Sequence, residues 1–174
     1  FKANNEQQAI PNCMVNIGNV YTRLATLEFT ARYGENWEDS IQTISEKEIE
    51  HAFLKGKEAY NQALQAYQTI DDTQNSLLVY INLAKIASYE RQYSRSVDFN
   101  IRVLKIAQKL GLTYQMALAY YGLAEINYRR GNFEQSIDNY KQSLKLAKQN
   151  GMRELKRFIY QRLSLVYEKL NEPK

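Results

Sequence analysis

Apolar residues recur along most of the chain at intervals of three and four positions, the spacing that places them on one face of an α-helix. One such stretch runs from Tyr120 through Leu123 and Ala124, and a second runs from Phe133 to Ile137. A Gly-Asn pair separates the two stretches, and glycine is a frequent helix terminator. The pattern therefore predicts two amphipathic helices joined by a tight turn, which is a helical hairpin.

The hairpin pattern returns with a period of 40 residues. Tyr80, Tyr120 and Tyr160 are each followed three residues later by leucine and four residues later by alanine or serine. In an earlier copy of this pattern, Ile17 occupies the position of the leucine and Gly18 the position of the small residue. A single hairpin cannot bury both of its faces, so successive hairpins are expected to stack.

These segments resemble the tetratricopeptide repeat, whose usual period is about 34 residues. The extra residues lie between hairpins, in a longer variety that is similar to the repeats of kinesin light chains, cell-polarity adaptors and bacterial peptide-sensing regulators. HEAT and armadillo repeats also have periods of about 40 residues, but here the small residues and the Gly-Asn-Phe turn at 131–133 fall at tetratricopeptide positions. The resemblance implies an all-α fold, a right-handed α-solenoid of antiparallel helix hairpins.

The resemblance covers almost the whole chain, and we expect residues 1–174 to form one array that is part of a larger chain or assembly. The predicted parts are the end of a preceding unit (1–9), a first unit (11–70), a second unit (77–110), a third unit (117–150) and the first helix of a truncated fourth unit (157–170).

The first unit is longer than the others, and its extra residues are expected to form an inserted hairpin at about 25–51. The apolar spacing continues past the usual end of its first helix and also runs backwards from its second helix, so both helices are predicted to be longer by about two turns. Gly34 is a plausible helix stop, and Ser45 with Glu48 fits a capping box. The predicted closing loop therefore lies near 34–45.

The closing loop is acidic and carries Trp37, which together with the nearby Phe29 and Tyr33 forms an aromatic group. Large apolar residues in helical hairpins usually serve packing, so these rings are expected to close the end of the hairpin. The alternative is a tip that docks a partner, since Trp and Tyr are frequent interface hot spots.

The resemblance to tetratricopeptide repeats also implies a binding groove, because the first helices of such repeats line the concave surface. Asparagine there could bond both the N–H and the C=O of an extended peptide, while tyrosine and arginine add contact area and carboxylate recognition. The carboxylate clamp of chaperone adaptors is not reproduced, since Lys85 has no second Lys-Asn set beside it. Carried over by position, the groove residues are Asn16, Asn19, Arg23, Asn82, Lys85, Tyr89, Tyr121, Glu125, Tyr128, Arg129, Arg162 and Lys169.

Composition narrows the chemistry that the chain could perform. His51 and Cys13 are the only residues of their types, so no nucleophile–base pair, disulfide or metal site is expected, and no cofactor is predicted. We therefore expect a non-enzymatic protein. Its single cysteine and its lack of Asn-x-Ser/Thr sequons favour a cytoplasmic location.

Charge is distributed unevenly along the chain, whose net charge is +4. Residues 1–87 carry 7 Lys and Arg against 11 Asp and Glu, whereas residues 88–174 carry 16 against 8. The lysines at 141, 145 and 148 are expected to form a solvated face, so nucleic acid is not a predicted partner. No segment has the roughly 20 apolar residues of a membrane span, so no membrane partner is predicted.

The function that these patterns favour is that of a scaffold or adaptor module, which binds a peptide or a partner subunit in the concave groove. The alternative is a peptide-sensing regulatory domain of a signalling or transcriptional regulator, in which binding changes the pitch of the superhelix.

Overall fold

The computed structural model describes residues 9–23 and 46–171, and every regular element in these ranges is an α-helix. This confirms the all-α helical-repeat fold class. The helices are α1 (9–23), α2 (Glu46–Thr69), α3 (Thr73–Tyr89), α4 (Tyr93–Leu110), α5 (Thr113–Arg129), α6 (Phe133–Gln149) and α7 (Arg153–Asn171).

The chain divides into two compact units, Phe1–Asn82 and Leu83–Lys174, and the boundary falls within α3. In the first unit α2 buries Tyr60 and Ala63. A Cβ added to Gly18 of α1 would lie 2.6 Å from a ring carbon of Tyr60, so only glycine lets the backbone come this close to the ring.

Helix α2 extends over 24 residues, whereas α4 has 18 and α6 has 17. The N-terminal part of α2 is amphipathic, since Ile49 and Phe53 are buried while Glu50 and His51 are exposed. The predicted loop at 34–45 and the aromatic group of Phe29, Tyr33 and Trp37 lie outside the described residues.

In the second unit each helix packs against the next one along the chain, α4 against α5, α5 against α6 and α6 against α7. Partly buried rings and aliphatic chains, including Tyr121, Tyr128, Phe133 and Leu163, pack against the core. This arrangement is the stacking of hairpins that a repeat requires to bury both of its faces. The buried core of α5, α6 and α7 consists of Ala124, Ile137, Tyr140, Ala147, Ile159 and Val166.

The five turns between α2 and α7 share one backbone conformation. A residue with positive φ recurs every 20 residues in these turns, and the five are Asp71, Arg91, Gly111, Gly131 and Gly151. The amide after each of them donates to the carbonyl five residues earlier, at 2.8–2.9 Å, as in a Schellman motif. One turn geometry thus ends every helix from α2 to α6.

Buried serines form hydrogen bonds between the two helices of one hairpin, in the hairpin of α3 and α4 and in that of α5 and α6. The hydroxyl of Ser96 donates to the carbonyl oxygen of Ala84 at 2.6 Å, and that of Ser136 donates to the carbonyl of Ala124 at 2.9 Å. Both serines are buried. The sequence does not predict that these hydroxyl groups form helix-to-helix hydrogen bonds.

Candidate functional site

In the second unit, polar side chains of α3, α5 and α7 meet on one surface, which we call the first-helix surface. All of them are among the groove residues predicted from the sequence. They are Lys85 and Tyr89 of α3, Tyr121, Glu125 and Arg129 of α5, and Arg162 of α7.

Glu125 is the centre of this surface. Its carboxylate accepts a hydrogen bond from the hydroxyl of Tyr140, and its Oε1 lies 3.1 Å from Nε of Arg162. Only 16% of the Glu125 side chain and 29% of the Arg162 side chain are exposed. An ion pair of this burial is screened less by solvent than a surface pair, and the loss of either partner would leave a charge partly buried and unpaired. The carboxylate thus joins α5 to α6 and to α7.

Burial and the nearby Glu125 carboxylate together determine the protonation states of Tyr140 and Arg162. Burial raises the pKa of the Tyr140 hydroxyl, and the adjacent carboxylate raises it further. Burial alone would lower the pKa of the Arg162 guanidinium, but Glu125, Tyr121 and Tyr140 together outweigh that effect and the pKa is raised. Near neutral pH the phenol therefore remains a hydrogen-bond donor and the guanidinium remains a cation.

Tyrosine rings lie beside the charged residues of this surface. The ring of Tyr121 meets that of Tyr140 edge to face, with centroids 5.7 Å apart. The guanidinium carbon of Arg129 lies 4.8 Å from the ring centroid of Tyr89, which is a cation–π contact. Burial raises the pKa of both Tyr89 and Tyr121. Rings and guanidinium groups are thus held in place by neighbouring side chains.

Lys85 is the cation of this surface that makes no hydrogen bond or ion pair within the described part of the chain. It is exposed by surface area, yet desolvation by neighbouring groups lowers the pKa of its ammonium. Glu125 opposes this shift and Arg129 reinforces it. Both residues therefore lie within electrostatic range of Lys85.

The first unit brings together two of the predicted asparagines. Asn19 accepts hydrogen bonds at its Oδ1 from the hydroxyl of Tyr60 at 2.8 Å and from Nδ2 of Asn82 at 3.2 Å. Asn16 and Arg23 are exposed on α1. Asn82 is thus already engaged by a neighbouring side chain.

The remaining predicted positions have different surroundings. Tyr128 is partly buried against the core and tilts against Phe133, with ring centroids 5.9 Å apart. Lys169 is exposed near the end of α7. Tyr128 therefore contributes to packing within its own hairpin.

One three-residue constellation occurs twice among the residues that the structure describes. In each case the hydroxyl of a tyrosine on the second helix of a hairpin donates to a polar side chain on the first helix, at the position after the small residue. A side chain from the first helix of the next hairpin donates to the same acceptor. Tyr60, Asn19 and Asn82 form the first case. Tyr140, Glu125 and Arg162 form the second case.

The sequence does not predict that Tyr60 and Tyr140 act as hydrogen-bond donors to first-helix side chains. Both residues are buried. The available signal was the hydroxyl itself, because a buried tyrosine oxygen usually finds a hydrogen-bond partner.

No group of three or more His, Cys, Asp and Glu residues within 9–23 and 46–171 could hold a metal ion. Over the same residues no helix is long and apolar enough to cross a bilayer.

The family model of the tetratricopeptide repeat matches residues 117–150, the hairpin of α5 and α6 that carries Glu125 and Tyr140. The chain is a tetratricopeptide-type helical repeat protein. Tetratricopeptide repeats form protein–protein interaction modules, whose stacked hairpins build extended binding surfaces. No curated protein matches the chain.

Proposed function

We propose that this tetratricopeptide protein is a non-enzymatic adaptor that binds a peptide or a partner subunit on its first-helix surface. One observation carries the proposal. Six residues predicted from sequence to line a groove, contributed by α3, α5 and α7, form a single connected set around Glu125.

The composition of this surface favours binding a protein. Tyrosine and arginine dominate interface hot spots, and here Tyr89, Tyr121 and Arg129 are all half-exposed. They can contact a partner while one side remains packed against their own chain.

Preorganisation also supports binding. Arg129 is held over Tyr89 and Arg162 is held by Glu125, so both side chains are already ordered before a partner arrives. Ordering a long side chain on binding costs about 0.5–1.5 kcal/mol, and a preordered surface avoids much of that cost.

The side chains around Glu125 do not favour a catalytic role. The phenols of Tyr121 and Tyr140 have raised pKa values and so do not act as bases near neutral pH. The carboxylate of Glu125 is engaged by a phenol and a guanidinium. Each of these groups serves to hold another side chain.

The proposal is tested by selecting random 12-residue peptides, displayed on phage, against the 174-residue chain. Enriched peptides are then measured by fluorescence anisotropy on the Arg129→Gln and Arg130→Gln variants. Arg129 stacks on Tyr89, whereas Arg130 is exposed at the end of α5, so the neighbouring arginine is a matched control. We expect Arg129→Gln to weaken binding at least fivefold, roughly the value of one hydrogen bond to the peptide.

Arg130→Gln should leave the affinity within about twofold, because exposed charges contribute little. Enrichment of no peptide, or equal effects of the two substitutions, would overturn the proposal.

A further inference from the structure

The exposed positive charges of the second unit are concentrated at one edge of its helices. Helices α4 and α6 end at the edge where α5 and α7 begin, because each helix packs against the next and is joined to it by a short turn. There the hydroxyl of Thr113 donates to Oδ1 of Asn150 at 2.9 Å, so the α4–α5 turn lies beside the α6–α7 turn. We call the two segments that meet at these turns, 101–118 and 141–158, the basic edge.

Charge at the basic edge is almost entirely positive. Residues 101–118 carry three Lys and Arg and no carboxylate, and residues 141–158 carry six Lys and Arg against one carboxylate, Glu154. The other described residues of the second unit, 83–100, 119–140 and 159–171, together carry seven Lys and Arg against six Asp and Glu. Ordinary protein surfaces intersperse both signs, so this separation of charge needs a physical explanation.

The repeat itself does not require these cations. One period earlier along the chain, the equivalent segment 61–78 carries no Lys or Arg and two Asp. Helix dipoles favour Lys109 and Lys148, which lie in the last turns of α4 and α6. They disfavour Arg153 and Lys156, which lie in the first turn of α7. Neither the stacking of hairpins nor the helix dipole therefore accounts for the positive charge.

Most of these cations have no counter-ion within their own chain. Glu154, the one carboxylate of the basic edge, pairs with Arg157 at 2.9 Å. Seven of the other cations form no ion pair within the part of the chain that the structure describes, and all but one of the seven are exposed. They are Lys105, Lys109, Lys141, Lys145, Lys148, Arg153 and the half-buried Lys156.

The depth of the basic edge favours a long, flexible polyanion over a flat membrane. Arg102 and Lys141 each lie eight residues before the end of their helix, which is about 12 Å along the helix axis. A bilayer that touched the two turns would leave these cations about a Debye length away. The α6–α7 turn is also polar, since Gln149 and Asn150 are exposed there, so it offers no apolar side chain for insertion.

Exposed aromatic rings lie among the cations. Tyr114, the second residue of α5, is 50% exposed and follows the threonine that joins the two turns. Phe158 is 44% exposed, and the guanidinium carbon of Arg157 lies 4.4 Å from its ring centroid. Proteins that bind single strands combine cations for the phosphates with rings on which unpaired bases stack. The basic edge has both components.

We propose that the basic edge binds single-stranded nucleic acid, with lysines of α4 and α6 contacting phosphates and Tyr114 stacking on a base. The basic edge shares no residue with the first-helix surface, so this inference goes beyond the proposed function. The lysines at 141, 145 and 148 by themselves predict only a solvated face. The contact between Thr113 and Asn150 places the cations of α4 beside them.

Fluorescence anisotropy of a fluorescein-labelled 20-nucleotide poly(U) RNA measures binding to the 174-residue chain. The test variant carries Lys105→Gln and Lys145→Gln, which neutralise two exposed lysines that are equivalent in successive repeats. The matched control carries Arg95→Gln and Arg130→Gln, which remove the same charge from exposed arginines at the opposite ends of α4 and α5. Circular dichroism verifies that both variants retain their helices.

The salt dependence of binding gives a quantitative expectation. Each phosphate contact of a single strand contributes about −0.7 to the slope of log K against log salt. The lysine variant should therefore flatten this slope by about 1.4 and weaken binding about 25-fold in 0.1 M salt. The arginine control should keep the wild-type slope and an affinity within about twofold of wild type.

The stacking contact is tested with Tyr114→Ala, which should weaken RNA binding at least about fivefold. Tyr167→Ala removes an exposed ring of α7 that lies outside the basic edge, and it should leave binding unchanged. A poly(A)·poly(U) duplex of the same length should bind more weakly than the single strand, because its bases are not available for stacking.

Four outcomes would overturn the inference. These are no binding of the RNA, equal losses in the lysine and arginine variants, a duplex that binds as tightly as the single strand, and tighter binding of phosphatidylserine vesicles or poly-glutamate than of the RNA. The last outcome would assign the basic edge to a membrane or to an acidic protein. Peptides selected on phage should bind the lysine variant with unchanged affinity, so each of these outcomes leaves the proposed function in place.

Discussion

The guanidinium of Arg162 pairs with the carboxylate of Glu125 across two helices, with Nε 3.1 Å from Oε1. The same carboxylate accepts the hydrogen bond of Tyr140, so one acidic residue of α5 connects α6 and α7. A residue predicted only to line a groove therefore also holds its own repeat to the next one. Binding and stability should be linked at this position.

Glu125→Ala should destabilise the chain by about 2 kcal/mol, since a half-buried guanidinium and a buried phenol would both lose their acceptor. Chemical denaturation followed by circular dichroism measures the change. Asp138→Ala, which removes an exposed carboxylate of α6, is the matched control and should change stability by less than about 0.5 kcal/mol. Equal effects of the two substitutions would show that the Glu125 contacts contribute nothing.

Stability should fall in alkaline solution because of Tyr140. Its pKa is raised in the folded chain above the ordinary value of about 10, so its contribution is complete below about pH 10 and declines as the pH rises further. Each additional proton lost on unfolding lowers the free energy of unfolding by up to about 1.4 kcal/mol per pH unit. Tyr140→Phe should remove the contribution of one proton to that slope.

The corresponding measurement is denaturation of wild type and Tyr140→Phe at a series of pH values from 8 upward. Parallel curves for the two proteins would mean that the Tyr140 hydroxyl has the same pKa in the folded and unfolded chains. The variant should also be less stable near neutral pH by about 1 kcal/mol, the usual value of one hydrogen bond.

Gly131→Ala should lower the free energy of unfolding by about 1 kcal/mol because of the backbone conformation alone. Its φ is +74°, and a Cβ there meets no atom within 4 Å, so no collision contributes. Gly131→Asn should cost less, because asparagine tolerates the left-handed conformation better than alanine. Thermal denaturation of the two variants checks the order, and an alanine variant as stable as wild type would refute it.

The effect of Gly122→Ala should change sign with the residue at 100. In the wild-type chain the new methyl group would lie 2.5 Å from Oδ1 of Asn100, and we expect a loss of about 2 kcal/mol from the collision in a buried site. In an Asn100→Ala background the collision is absent, and the same substitution should stabilise α5 by about 0.5–1 kcal/mol through helix propensity. A double-mutant cycle measures the coupling, and additive effects would contradict it.

Sequence periodicity predicted much of this fold because a stacked hairpin makes the same demands in every repeat. The 40-residue spacing of Tyr80, Tyr120 and Tyr160 marks equivalent first helices, and the Gly-Asn turn marks the end of α5. The turn after α3 was harder to identify, since Arg91 occupies the positive-φ place that glycine takes in later turns.

The candidate site was only partly predictable. Helical spacing predicted which side chains share a surface, but not which of them bind one another. The pairing of Glu125 with Arg162 depends on contact between residues 37 positions apart. Likewise, Asn100 occupies the position that Tyr60 and Tyr140 hold in other repeats. This difference can be explained only by its close contact with Gly122 on another helix.

The central claim is that a partner lies on the first-helix surface, and tyrosine NMR tests it most directly. The chain is labelled with ¹³C on its tyrosine rings, which Tyr→Phe variants assign, and is titrated with a phage-selected peptide. Tyr89 and Tyr121 belong to the surface, while Tyr93 begins α4 and Tyr167 is exposed on α7, and these last two serve as internal references. We predict that the signals of Tyr89 and Tyr121 shift together and saturate at one peptide per chain, while Tyr93 and Tyr167 remain unchanged. Saturated binding that moves the reference tyrosines and leaves Tyr89 and Tyr121 in place would contradict the account.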